Sequence, residues 1–281
     1  MKELKLGVMQ GRLLPKFEGR YQAHPIHFWK DEFPIAASLN LDSIEFILDY
    51  AKFEKNPLIY SGGIEEIKGI IQETGVTVKS ICADFFMESP LHGTDKYRLE
   101  EAVSILKHII KISPTLGVNN IVIPCVDNSS LKTDDDKMIF VQSISQCLKD
   151  AELNSVYLSL ETDLCPEKFL SLLKNFPSKM IAVNYDIGNS ASIGYNPSKE
   201  FEFYGSYVTD VHIKDRKKNG GSVVLGTGDA NIKEVLVLLN KLNYEGLFIM
   251  QAYRDDEGLN IFKKQLMYIQ DLFKNIKENL I

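Results

Sequence analysis

Eight short apolar runs, separated by segments of helical period, constrain this chain more than any other feature. They cover Leu4–Met9, Ser43–Phe46, Val76–Ala83, Asn120–Pro124, Val156–Leu160, Ile181–Tyr185, Val208–Ile213 and Gly246–Met250. Many are β-branched and apolar on both faces, the pattern of strands buried in a parallel sheet. The segments between them predict helices near Asp31–Leu39, Ile64–Thr74, Lys96–Leu116, Asp134–Leu153, Pro166–Asn175, Lys199–Tyr204, Asn231–Leu242 and Asp256–Asn279. Gly75, Gly117 and Gly246 follow helical segments, where a residue of positive φ ends a helix. Thr94 and Thr133 precede acidic first turns and are expected to be N-caps.

Eight βα units in 281 residues give ~35 residues per unit, the size of the unit in a (β/α)8 barrel. The expected fold is therefore α/β, a single TIM barrel with residues 1–281 as one domain. A doubly wound open sheet would usually carry a glycine-rich phosphate loop after its first strand. Here that position reads Gln10-Gly11-Arg12-Leu13. The longest irregular stretch, residues 10–30, contains Arg12, Arg20, His24, His27 and Trp29, the only tryptophan. Its aromatics argue for order, as a lid over the C-terminal mouth of the barrel.

Charge and cysteine usage narrow the functional classes. A net charge of −6 and a pI of about 5.5 do not favour the nucleic-acid backbone, which calls for clustered Lys and Arg. No apolar run approaches the ~20 residues of a membrane span, and Met1-Lys-Glu-Leu-Lys contains no signal-peptide core. The expectation is a cytoplasmic protein without membrane or nucleic-acid partners. Cys82, Cys125, Cys147 and Cys165 show no CxxC spacing and read as reduced, mostly buried thiols.

The last four apolar runs each end in a residue that can ligate a metal: Glu161, Asp186, His212 and Gln251. Ends of successive parallel strands converge on one barrel face, so the four side chains are expected to meet there. Singly, such residues read as helix caps, ion-pair partners or core histidines. Together they supply three oxygens and one nitrogen with a formal charge of −2, which suits Mn, Mg, Co or Zn.

Over nearly its whole length, and most clearly from Leu158 to Arg254, the chain resembles the xylose isomerase-like TIM-barrel superfamily, specifically its sugar phosphate isomerase/epimerase group. The resemblance rests on Leu158-Ser-Leu-Glu161-Thr-Asp, Asn184-Tyr-Asp186-Ile-Gly-Asn189, Val211-His212-Ile-Lys-Asp-Arg216, Gly226-Thr-Gly-Asp229 and Tyr244-Glu-Gly-Leu-Phe-Ile-Met-Gln251. It implies that Glu161, Asp186 and His212 hold the metal. Gln251 stands where the family carries a strand-8 glutamate. In the family's ketose 3-epimerases two metal-bound glutamates serve as the acid/base pair on opposite faces of the sugar, and a glutamine cannot take up a proton. The resemblance therefore implies a one-base scheme, in which Glu161 abstracts the proton α to a carbonyl through a metal-bound enediolate. Glu45 and Asp84, at earlier strand ends, are candidates for the second face.

The resemblance also implies substrate contacts. Lys214 and Arg216 follow the histidine, where relatives neutralise substrate oxygens or phosphate. Arg12 and Arg254 occupy comparable mouth positions, and three arginines around one opening would suit an anionic substrate. Asn189 stands where relatives often place a substrate-contacting histidine and is expected to bind a sugar hydroxyl. Glu167 is read as helix surface. Gly226-Thr-Gly-Asp229 reads as a tight turn with Asp229 capping the next helix, in preference to a phosphate loop. His24, His27, His92 and His108 have no matching ligand partners, and His108 falls inside a long helix.

The expected function is that of a divalent-metal-dependent isomerase or epimerase of a sugar or sugar phosphate, with a possible homo-oligomer because relatives are often dimers or tetramers. The alternatives are a lyase resembling inosose dehydratase, a barrel that binds sugar without turning it over, and an apurinic-site endonuclease of the endonuclease IV type. The last needs three zinc ions and more histidines than the five present.

Overall fold

The computed structural model describes residues 4–279; Met1–Glu3, part of the stretch read above for a leader, lie outside the described residues. Eight strands close a barrel in chain order: β1 Leu6–Met9, β2 Ser43–Ile47, β3 Ser80–Cys82, β4 Asn120–Cys125, β5 Tyr157–Thr162, β6 Ile181–Asp186, β7 Val208–Ile213 and β8 Phe248–Met250. Every pair is parallel, and β1 closes on β8 through Leu6 opposite Phe248 and Val8 opposite Met250. The fold is a (β/α)8 TIM barrel.

The helices are α1 Glu32–Ser38, α2 Gly63–Thr74, α3 Phe85–Glu88, α4 Lys96–Leu116, α5 Asp134–Ser145, α6 Leu148–Asn154, α7 Pro166–Leu173, α8 Ile187–Ile193, α9 Pro197–Tyr204, α10 Ile232–Lys241 and α11 Leu259–Asn279. Gly75 (φ 76°) ends α2 and Gly117 (φ 77°) ends α4. Thr133 caps α5 in a reciprocal box with Asp136. Three local expectations are corrected. The cap of α4 is Asp95, whose carboxylate accepts the N–H groups of Tyr97 and Arg98, not Thr94. Gly246 ends no helix, since α10 stops at Lys241 and the chain turns through Asn243 at φ 56°. The single helix expected over Asp134–Leu153 is divided at Gln146–Cys147, where Ser145 Oγ bonds back to the Val141 carbonyl; such back-bonding bends helices.

The strands sort their side chains by alternation. Outward residues such as Val8, Ile44, Phe46, Ile121, Leu158, Val211 and Phe248 are buried against the helices in one large core. Each contributes about 1.5–3 kcal/mol of burial free energy. Inside the barrel the lining is split. Met9, Ile47, Cys82, Val122 and Ile249 form a small separate apolar cluster. The rest of the lumen is polar, with Glu45, Ser80, Asn120, Ser159, Asn184, Asp210 and His212 all buried.

Residues 10–30 pack on the mouth beside β1, β2, β3 and β8. Glu32 holds the first turn of this segment, accepting from the N–H of Gly11 at 2.7 Å and of Leu13 at 2.9 Å. Asp49 holds the middle, paired with Arg20 and accepting the His24 N–H at 2.7 Å. Cys82, Cys125 and Cys147 are buried free thiols and Cys165 is half-buried. Among the described residues no helix is long and apolar enough to cross a membrane.

Candidate active site

Three strand ends bring their donors to one point. Asp186 lies opposite His212 in the β6–β7 ladder, and Glu161 lies opposite Pro124 in the β4–β5 ladder. The β6–β7 pairing steps from Val183–Val208 to Asn184–Asp210, so Thr209 has no register partner on β6, and its hydroxyl bonds Ser159 and Asn120 instead. A bulge of this kind re-aims side chains near active sites. Beyond it, Asn184, Asp186, Asp210 and His212 face inward together.

The Glu161, Asp186 and His212 ligand atoms all lie within 4.8 Å of one another. His212 Nδ1 stands 3.7 Å from Glu161 Oε2 and 4.0 Å from Asp186 Oδ2. Two atoms sharing one ion at ~2.1 Å are at most ~4.2 Å apart, so both separations fit. The protonation of the ring follows from its other face. Nε2 lies 2.7 Å from Glu45 Oε1, a buried carboxylate, so Nε2 carries the hydrogen and Nδ1 presents its lone pair to the cluster.

Glu161 is held by two amides. Asn184 Nδ2 donates to Oε2 at 2.8 Å, and Asn189 Nδ2 donates to Oε1 at 2.6 Å. Burial, and then the nearby Asp186 charge, raise the Glu161 pKa to about 7. Asp186 has a divided role. Its Oδ1 caps α8 by accepting the Asn189 N–H at 2.8 Å, and its Oδ2 faces the Lys214 ammonium at 3.2 Å. Asn189 Oδ1 in turn accepts from Arg216 Nη1 at 2.8 Å, while Arg216 Nε bonds the Gly220 carbonyl. Lys214, Arg216 and Asn189 thus join the cluster as a linked series.

Gln251 is buried at the end of β8. Its Nε2 donates to Gln22 Oε1 at 3.0 Å, and its Oε1 has no hydrogen-bond partner. A buried carbonyl oxygen left bare costs about 1–3 kcal/mol. The donor set fits a divalent cation: two carboxylates, an imidazole nitrogen that accepts from the Asn184 amide at 3.1 Å, and an orphaned amide oxygen, with a lysine as the nearby countercharge.

Other predicted residues are employed differently. Arg12 and Arg254 are almost fully buried. Arg254 bonds the carbonyls of Gly11 and Leu14, both at 2.6 Å. Arg12 bonds the carbonyls of Ala252 and Tyr21 and the side chain of Gln22. These guanidinium groups fasten the β1 and β8 loops to each other, which leaves Arg216 as the arginine joined to the cluster. Glu45 is fully buried behind His212. Asp84 accepts from Gln22 Nε2 at 2.7 Å.

The Gly226–Asp229 turn is also reassigned. Its N–H groups are taken by the buried Asp215, whose Oδ2 accepts from Gly226 at 2.9 Å and Gly228 at 2.8 Å. A Cβ on Gly228 would stand 1.9 Å from Asp215 Oδ1, so only glycine fits. Asp229 does not cap α10. It accepts the Lys218 N–H, and Asn231 is the cap. His108 bonds the Leu58 carbonyl from within α4.

Asn184, Gln22 and Asp210 were not singled out from sequence. Asn184 had a signal, since it stands two residues before Asp186 and so faces the same way along a strand. Gln22 had none, because loop residues follow no period.

The profile of the xylose isomerase-like TIM barrels matches residues 33–272. The putative L-ribulose-5-phosphate 3-epimerase SgbU of Haemophilus influenzae is 23% identical, covering 98% of this chain and 98% of its own. Among solved structures, a D-tagatose 3-epimerase-like protein superposes with a TM-score of 0.77 at 16% identity, covering 99% of this chain and 100% of its own. A xylose isomerase-like TIM barrel protein from Mycobacterium smegmatis in complex with magnesium superposes with a TM-score of 0.72 at 16% identity, with 98% of each chain covered.

Proposed function

Because this chain belongs to the xylose isomerase-like TIM-barrel family, we propose that it is a sugar or sugar-phosphate epimerase or isomerase that depends on a divalent metal. The observation that carries the reading is the meeting of Glu161, Asp186 and His212 within 4.8 Å; Gln251, after β8, adds a buried oxygen with no hydrogen-bond partner. Those four residues would hold the ion, which supplies charge to polarise the carbonyl and neighbouring hydroxyl of a ketose.

The chain's own residues do the rest. Glu161 removes the proton from the carbon α to the carbonyl. Burial and the Asp186 charge raise the Glu161 pKa in the metal-free chain, and a bound cation would lower it again, which keeps the carboxylate ionised to accept a proton near neutral pH. Asn184 and Asn189 fix its two oxygens, so the base is aimed before substrate arrives. Lys214 and Arg216 neutralise the oxygens of the substrate, and Asn189 bonds a hydroxyl. The same carboxylate, or water, returns the proton at the neighbouring carbon, whereas return on the other face needs a second proton donor on that side. A phosphate, where the substrate has one, is met by these two cations, because the glycine turn at Gly226 is filled by Asp215.

The test is exchange of an α-proton with D2O, followed by NMR across ketopentoses, ketohexoses and their phosphates with Mn²⁺, Co²⁺ or Mg²⁺. Exchange that starts with metal and stops with chelator supports the reading. No exchange over the whole panel with metal bound would remove it.

A further inference from the structure

The amide of Gln251 is oriented by a side chain that the reaction does not need. Arg12 carries only donors. Its Nη2 lies 2.8 Å from one terminal atom of Gln22, which must therefore be the carbonyl oxygen. The other terminal atom of Gln22 lies 2.7 Å from Asp84 Oδ2, a carboxylate oxygen, and must be the NH2 group. Asp84 is itself held, accepting from the Cys82 thiol at 3.2 Å. Gln22 is thus fixed at both ends. Gln251 then meets the Gln22 carbonyl oxygen at 3.0 Å, so it turns its NH2 group to Gln22 and its own oxygen away. That oxygen is the one with no partner.

We infer that Arg12, Gln22 and Asp84 form a clamp that requires an amide at position 251 and fixes which way it faces. A glutamate there would set a carboxylate oxygen about 3 Å from the Gln22 carbonyl oxygen with no hydrogen between them. Rotating Gln22 gives no relief. Its NH2 would then face the Arg12 guanidinium, and its oxygen would face Asp84. The glutamine is therefore a built element of this barrel, and the second carboxylate of the symmetric acid/base pair is excluded by the loop after β1. Gln22 is a positioning residue. The inference rests on the metal reading only for the destination of the freed oxygen.

The experiment is a double-mutant cycle on the full chain with Gln22→Met, Gln251→Glu and both, read by metal-free melting temperature and by Co²⁺ titration followed by absorption spectrum and calorimetry. Gln251→Glu is expected to lower the metal-free melting temperature by about 4 °C or more in the presence of Gln22, and by clearly less in the Gln22→Met background. Gln22→Met alone is expected to weaken Co²⁺ binding about tenfold and to alter the spectrum, as loss of an orienting partner does. Equal melting losses for Gln251→Glu in both backgrounds would overturn the clamp. So would a Gln22→Met protein that binds Co²⁺ with unchanged affinity and spectrum. A wild-type chain that binds no Co²⁺ but shows the melting coupling would sink the metal reading and leave the clamp standing.

Discussion

His212 stands between two acidic groups that its ring serves in opposite ways. On the Nδ1 side are Glu161 and Asp186, and on the Nε2 side are Glu45 and Asp210; each pair lies within 4.8 Å of the ring donor that faces it. By composition the two trios are alike. Their surroundings differ. On the inner side the groups are fully buried and bonded to one another, although Glu45 Oε2 has no hydrogen-bond partner. Glu45 accepts from His212 Nε2, Asp210 hydrogen-bonds Glu45 as the neutral partner, and Asn120 Nδ2 donates to Asp210 at 2.8 Å. On the outer side the donors are amides and a lysine, which can rotate or withdraw, and two buried amide oxygens, of Asn184 and Gln251, are bare. An acidic cluster becomes a cation site when its charge lacks a fixed partner. The inner trio serves as a support that sets the tautomer and aim of the outer one.

Replacing Glu161 by Gln removes the base and should have the largest effect. Turnover should fall by about 10³-fold, measured on whichever ketose shows exchange, while the melting temperature stays near that of the parent. A variant with more than a tenth of parental activity would move the base elsewhere. Next is Glu45→Gln on the inner side. If Glu45 sets the imidazole, divalent-ion affinity should drop about 10–100-fold by calorimetry, although Glu45 never touches the ion. Unchanged affinity would make the two sides independent.

A smaller effect separates the sides by pH. Burial raises Glu32, Glu45 and Glu161 from ordinary carboxylate values to about 7. The folded chain keeps these protons where the unfolded chain has lost them, so their contribution to stability is full below the ordinary carboxylate range and is lost as pH rises from there through about 7. His24, lowered to about 3 by burial, works in the opposite direction but contributes no further change above about pH 7, where the unfolded histidine is already neutral. The metal-free melting temperature should fall by a few degrees between about pH 6.5 and 8. A divalent ion should recover only the Glu161 share. A flat or rising profile would contradict the buried-carboxylate picture. The smallest effect is expected for Asp210→Asn. Its amide can donate to Glu45 as the neutral carboxyl does, so affinity should stay within about twofold. A loss as large as that of Glu45→Gln would show that Asp210 carries charge.

The barrel was legible because eight apolar runs alternate with helical segments along the chain, and strands apolar on both faces leave few other architectures. Glu161, Asp186 and His212 were legible because the end of a strand fixes where a side chain emerges. The helices α3 and α8 were not, since one or two turns carry too little periodicity; α8 starts only because Asp186 caps it. Arg12 and Arg254 read as mouth cations because their positions match. Only the loop conformation shows that both are consumed by carbonyls across the β8–β1 junction. Asp215 in the glycine turn was hidden for the same reason, since its partners Gly226 and Gly228 are reached by a loop that returns on itself.

Closure of β8 on β1, with Arg12 and Arg254 crossing between them, has a consequence for biosynthesis. Glu161, Asp186 and His212 are translated before Gln251, and Gln22 precedes Gln251 by most of the described chain. A nascent chain leaving the ribosome can collect Glu161, Asp186 and His212, but it has no clamped amide until its two ends join. Were these four residues to hold an ion, full ligation would report that the last strand has arrived.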